Sequence, residues 1–146
     1  MTSLHHNRRR AFSLIELTIV IIILGVISAI AIPRMIRGAD NADVTGLTAD
    51  LAVLRGALEM CRYEQGSFPS DAAEFTTWLT TQANGYGPYI VKIPLLKTGV
   101  KKGEAGVAVT ASNPPTAGDE DGGATGWLYN PTVGAVWAND ADHFDK

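Results

Sequence analysis

The chain has one cysteine, Cys61, so no internal disulfide can staple it. A lone thiol among apolar neighbours reads as a small buried side chain. Histidine is scarce as well: His5 and His6 stand near the N-terminus, and only His143 lies farther along. No nucleophile–base–orienter set appears, nor any metal-ligand spacing, which argues against an enzyme. A basic surplus is missing too. Lysine and arginine number 12 against 15 acids, for a net charge of −3. Arg8, Arg9 and Arg10 are grouped ahead of residue 12, so the remainder is more acidic still. Such a balance excludes electrostatic nucleic-acid binding, which needs a basic footprint. Charge itself is almost absent from residues 12–32, where Glu16 is the one ionisable side chain.

What fills residues 12–32 is an apolar run. About 21 residues at ~1.5 Å rise suffice to span a bilayer as a helix. A carboxylate there costs several kcal/mol unless it finds a partner, so Glu16 is a functional candidate by its position alone. The arginines before the run, with no acid among them, favour an N-terminus on the cytoplasmic side. Arg34 and Arg37 weaken this asymmetry but do not reverse it. The run exceeds a usual secretory h-region, and the basic segment abuts it directly.

The order Phe12-Ser13-Leu14-Ile15-Glu16-Leu17, preceded by a short basic segment and followed by Pro33, resembles the start of the type IV pilin-like superfamily. Within it the chain is most similar to a type II secretion major pseudopilin. The resemblance covers roughly the first quarter of the chain. Ala11 stands where the family usually has glycine, so slower rather than abolished processing is expected. The resemblance implies cleavage between Ala11 and Phe12 by a membrane prepilin peptidase, with N-methylation of Phe12. It also implies residence in the inner membrane, N-terminus inside, and later extraction into a homo-oligomeric periplasmic filament. The partners implied are that peptidase, an inner-membrane secretion platform and minor pseudopilins. A freed α-amine titrates near pH ~7.7 and is largely cationic in the cytoplasm. Glu16 lies one helical turn from Phe12, so it can pair with that amine, its own or a neighbour's, and thereby fix axial register. The opposing reading is a plain signal anchor with a snorkelling glutamate. The resemblance places His5 and His6 in a leader that would be discarded, which argues against them as metal ligands.

Past Pro33 the helix is expected to continue. Leu47, Leu51, Leu54, Leu58 and Cys61 recur at steps of four and three, one helical face. Arg55, Glu59 and Arg62 share another face at pairing distance. Gly66 is a stop signal, with Pro69 behind it. Residues 12–65 would form a spine ~80 Å long, broken or bent near Pro33. Gly25, Gly38, Gly46 and Gly56 weaken it by about 1 kcal/mol each relative to alanine. Gly25 and Pro33 bracket a segment that the resemblance to filament-forming pilins implies can melt and stretch; alternatively the glycines serve close helix packing.

Beyond the spine, Asp71 with Glu74 predicts a capped helix whose inner face is Ala72, Phe75 and Leu79. Residues 84–88 read as a turn. Residues 89–93 and 106–110 are strand candidates, and residues 127–129 and 135–137 flank a hairpin turn. The expected architecture is α+β: a long helical spine packed on a small antiparallel sheet, with Trp127, Tyr129 and Trp137 in its core. The segments are residues 1–11 (leader), 12–32 (transmembrane and assembly helix), 33–65 (amphipathic half of the spine) and 66–146 (small α+β domain).

Residues 112–126 form a polar loop holding Asp119, Glu120 and Asp121. Its acids can offer oxygens to Ca²⁺, and Asp140, Asp142 and Asp145 of the tail can converge on them. Consecutive acids lack the alternating spacing of a preformed calcium loop, so a solvated acidic turn is the simpler expectation. The second half resembles major pseudopilins in residues 66–69 and 87–94. It departs from them at Leu95, Leu96 and Lys97, where Asp-Pro-Trp-Gly often stands, and its calcium loop is not cleanly matched.

Three functions compete. The first is a structural pseudopilus subunit that drives protein export. The second is a type IV pilin or minor pilin for adhesion, motility or DNA uptake. The third is a membrane-anchored exported enzyme. Pilins of the second kind commonly carry a C-terminal disulfide loop, which a single cysteine excludes.

Overall fold

A computed structural model describes residues 12–83 and 85–146. Ala11 and the rest of the leader, and Asn84 of the expected turn, lie outside the described residues. Helix α1 (Leu14–Gln65) is followed by α2 (Ala72–Thr80) and by strands β1 (Gly106–Val109), β2 (Thr125–Asn130) and β3 (Ala135–Ala138). Two compact units divide the chain, one reaching Asp40 and the other Asn41–Lys146.

In the first unit no described residue is buried. Isoleucine, leucine and valine occupy every side of α1 from Leu14 to Ile32, all of them exposed. This part of the helix is apolar enough, and α1 long enough, to cross a membrane. Pro33 lies inside α1 and does not break it. A proline removes one helical hydrogen bond at about 3 kcal/mol, and the helical residues on both sides outweigh one such defect.

In the second unit the pattern of α1 changes to one face. Leu47, Leu51, Leu54, Leu58 and Cys61 are all buried, as their spacing predicts, and Ala57 joins them. Each buried leucine contributes about 1.5–3 kcal/mol by leaving water. Gly66 ends the helix with φ +83°, its N–H donating to Arg62 O at 2.9 Å. Glycine adopts that left-handed conformation without steric cost. Glu59 and Arg62 stand 4.0 Å apart on an exposed face. Arg55 does not pair with Glu59; it donates to the carbonyls of Val136 (3.1 Å) and Lys146 (2.6 Å). A carbonyl fixed by a strand is a better-placed acceptor than a flexible exposed carboxylate.

Helix α2 starts as its sequence predicts. The Asp71 carboxylate accepts from Ala73 N and Glu74 N, each at 2.8 Å. Glu74 reaches back to the N–H and hydroxyl of Ser70 rather than to Asp71. Phe75 and Leu79 point into the core, and Ala72 is half-buried at its margin.

The sheet is mixed, in the order β1-β2-β3. Strands β2 and β3 form the predicted antiparallel hairpin, with Trp127 opposite Ala138 and Tyr129 opposite Val136. Strand β1 pairs with β2 in parallel, which corrects the antiparallel expectation. The reason is the connection: a turn signal separates β2 from β3, whereas a loop of more than a dozen residues separates β1 from β2. That is long enough to carry the chain back to the same end of the sheet. Residues 89–93 do not form a strand. The N–H groups of Tyr89 and Ile90 both donate to Leu79 O at the end of α2, and flanking Pro88 and Pro94 cannot donate to any ladder.

Trp127, Tyr129, Val136 and Ala138 meet the α1 stripe, Phe75 and Leu79 in one core. The polar tips of the large rings are satisfied: Trp127 Nε1 donates to Pro94 O at 2.8 Å and Tyr129 OH to Pro69 O at 2.8 Å. Gly126 is required here, because a Cβ would fall 2.3 Å from Glu104 O. Leu128 and its cross-strand neighbour Trp137 lie on the opposite face and are also buried. Neighbouring positions of α1 therefore differ sharply in cost. Leu54→Ala should destabilise the second unit by about 2–5 kcal/mol, whereas exposed Val53→Ala should stay within ~0.5 kcal/mol. Urea unfolding followed by tryptophan fluorescence measures both, and equal losses would contradict the burial pattern.

Candidate functional site

The first candidate is the start of α1. Phe12 and Glu16 are exposed. Glu16 Oε2 accepts the N–H of Ser13 at 3.0 Å, and Leu17 N donates to Ser13 O at 3.2 Å. Ser13 thus stands at the cap position and Glu16 three residues inside. The carboxylate serves one of the N–H groups left without a helical partner and lies at the positive end of the helix dipole. The Ser-x-x-Glu spacing signals this cap in the sequence, beside the pairing with the Phe12 amine expected of Glu16. The carboxylate is aimed back along the chain, one residue short of the Phe12 nitrogen.

The second candidate is acidic. Glu120, Asp121 and Asp140 line one cavity of about 250 Å³, together with Val100, Lys101, Gly122 and Asn139. The acidic loop and the tail therefore meet. Glu120 Oε1 accepts from Ala141 N at 2.8 Å, and Asn139 Nδ2 donates to Thr125 O at 2.9 Å. Asp140 is buried and pairs with His143 Nδ1 at 2.7 Å. The other expected ligands are used differently. Asp119 accepts from Thr116 N and Oγ1 (2.7 and 2.8 Å) and from Ser112 Oγ (2.7 Å), closing a turn of its own. Asp142 is exposed and does not line the cavity, and Asp145 pairs with Lys146 at 2.9 Å. Among the described residues, no group of three or more His, Cys, Asp or Glu is placed to hold a metal ion.

These bonds shape the titration of the loop. The Thr116 N–H, then the Ser112 and Thr116 hydroxyls, hold the Asp119 carboxyl down at about 2. The Thr125 hydroxyl, the Gly123 N–H and the charge of Lys101 hold Asp121 below its ordinary range.

Sequence reasoning missed the basic loop opposite these acids. Lys97 Nζ reaches Asp50 at 2.5 Å and Gly46 O at 3.3 Å, and Lys102 pairs with Asp43. Gly46 is the seat for Lys97, since a Cβ there would fall 2.6 Å from Lys97 Cδ. The alternation of Asp43, Gly46 and Asp50 on one side of α1 was the available signal.

Comparison with known proteins adds a motif and several relatives. Residues 6–32 match the family model described as the prokaryotic N-terminal methylation motif. The type II secretion system core protein G of Klebsiella pneumoniae is 35% identical over 64 residues, 44% of this chain and 46% of that protein. Its counterpart in Pectobacterium carotovorum subsp. carotovorum is 33% identical over 63 residues, 43% of this chain and 40% of that protein. The type IV narrow pilus major component PilA5 of Thermus thermophilus is 36% identical over 63 residues, 43% of this chain and 54% of that protein. The chain thus spans about half the length, or less, of these relatives. No solved structure matches.

The Asp119 turn makes a pH-dependent contribution. Its folded carboxyl titrates at about 2, below the ordinary 3.8, so its stabilisation is full above pH 3.8 and is lost as pH falls through about 2. Asp119→Asn should lower the melting temperature at neutral pH, and the deficit should shrink as pH approaches 2. Thermal melts over that range measure it; a deficit independent of pH would show that the charge plays no part.

Proposed function

We propose that this chain is a structural, pilin-like subunit of a type II secretion pseudopilus. The observation that carries the reading is Glu16: one carboxylate, directed at the helix start, inside an apolar helix that bears the methylation motif. Prepilin peptidase would cut between Ala11 and Phe12 and methylate the new amine of Phe12. The chain would then sit in the inner membrane as a single span, N-terminus in the cytoplasm and residues 66–146 in the periplasm. From there it would pass into a periplasmic filament of like subunits, alongside minor pseudopilins and the inner-membrane secretion platform.

The chemistry of Glu16 supports this sequence. In the described chain its carboxylate holds the Ser13 N–H. Cleavage would place a cationic amine one residue away, within reach of the same carboxylate or of a neighbour's. Pairing between subunits offsets the cost of the charge in hydrocarbon and fixes the axial step. The names of the matched relatives, secretion and pilus components, support a structural rather than an enzymatic role. The Thermus thermophilus relative favours a second reading, a type IV pilin. The single cysteine favours the first. For calcium, Glu120, Asp121 and Asp140 share a cavity with Asn139, oxygen donors of the kind a hard cation takes, but Lys101 lines the same cavity.

Two measurements test the main reading. Mass spectrometry of assembled filaments should find a mature N-terminus at Phe12, N-methylated; an intact leader in filaments would sink it. Glu16→Leu should insert into the membrane at least as well as wild type while filament yield falls sharply. Glu16→Gln keeps the shape without the charge and should fall less far. Wild-type yields from both would leave Glu16 without a role in assembly.

A further inference from the structure

The acidic cavity contains a cation of its own. Lys101 lines it, and its Nζ is buried without a hydrogen-bond partner. One acceptor in the same cavity is also left over: Asn139 Oδ1, on a side chain only 2% exposed. Each carboxylate already has at least one partner, Glu120 the Ala141 N–H, Asp121 the Thr125 hydroxyl and Asp140 His143. Lys101 Nζ and Asn139 Oδ1 are thus the buried polar atoms of the cavity left with no partner, one a donor and the other an acceptor. Leaving either unmatched is costly, the more so for the charged one.

The backbone around Lys101 is fixed by bonds that do not involve its side chain. Leu96 N donates to Glu104 O and Gly103 N to Leu96 O, closing the loop at its neck. Glu104 N donates to Lys101 O at 3.0 Å. Lys97 and Lys102 hold the same loop to Asp50 and Asp43 of α1. Gly99, at φ +69°, lets the loop backbone press against the Asp140 carboxylate, where a Cβ would fall 2.6 Å from Cγ. Of the three lysines on this loop, two reach the helix and the third enters the cavity between Glu120, Asp121, Asn139 and Asp140.

We infer that Lys101 is a tethered cation that joins the acidic loop to the tail in place of a divalent ion, and that Ca²⁺ enters this cavity only when the ammonium is removed. The inference rests on the cavity and not on the filament reading, so it stands or falls in the purified protein. An ammonium carries half the charge of Ca²⁺, but it is covalently attached. Its presence does not depend on the free calcium concentration, whereas a dissociable ion stabilises the fold only by mass action.

The experiment uses the full chain in detergent, with melting followed by tryptophan fluorescence and calcium binding by titration calorimetry. Wild type should melt at the same temperature in EGTA and in millimolar CaCl₂, with no sub-millimolar binding. Lys101→Met should melt several degrees lower in EGTA and recover in Ca²⁺ but not in Mg²⁺, with calcium affinity at least tenfold tighter than wild type. Lys101→Arg keeps the charge and should stay indifferent to calcium. A wild-type melting temperature that falls in EGTA, or sub-millimolar calcium binding by wild type, would overturn the inference without recourse to any variant. So would a Lys101→Met protein that neither loses stability nor gains calcium binding.

Discussion

One helix has to satisfy two solvents. From Leu14 to Ile32, α1 is apolar on every side and buries none of it; from Leu47 to Cys61 it is apolar on one face and buries all of it. The second pattern creates the globular unit. A three-stranded sheet and a nine-residue helix have too little apolar surface to close a core by themselves. The leucine stripe supplies what is missing, and Trp127, Tyr129, Val136 and Phe75 are placed by their need to meet it. Among the described residues the first pattern has no such counterpart, and every leucine, isoleucine and valine in it is exposed.

What the sequence made legible was local or periodic. The Leu47–Cys61 stripe, the Asp71 cap, the Gly66 stop and the β2–β3 hairpin each follow from side chains within a few residues of one another. What it concealed depended on distant partners. The parallel pairing of β1 is decided by where a long loop returns the chain. Residues 89–93 have strand composition, yet their N–H groups find Leu79 O first. Arg55 looked like a partner for Glu59 four residues away and instead reaches Val136, 81 residues on. At the candidate site the same division holds. Glu16 stands out in any reading of residues 12–32. The meeting of Lys101 with Glu120, Asp121 and Asp140 needs three separate segments to be folded at once.

The glycines of α1 illustrate how one residue type serves different ends. Gly25, Gly38 and Gly56 have nothing within 4 Å of a built Cβ, whereas Gly46 is where the stem of Lys97 crosses the helix. An interior glycine weakens a helix by about 1 kcal/mol relative to alanine. At Gly46 that loss is offset by admitting Lys97 to Asp50, a pair whose carboxylate is largely shielded from water. The basic loop is thereby fastened to the helix, and the acidic cavity forms against it.

The bare apolar surface of residues 14–32 bears on reversibility. Lipid tails are as apolar as leucine, so exchanging hydrocarbon for a sheath of similar helices changes the transfer free energy of those side chains very little. An isoleucine would gain almost nothing by leaving the bilayer and lose almost nothing by returning. For such a segment the apolar majority is neutral ballast, and the direction of travel falls to its single charge. On the pseudopilus reading, a subunit balanced in this way would be drawn into an assembly and released from it by small amounts of work, because Glu16 is the one charged side chain in the segment.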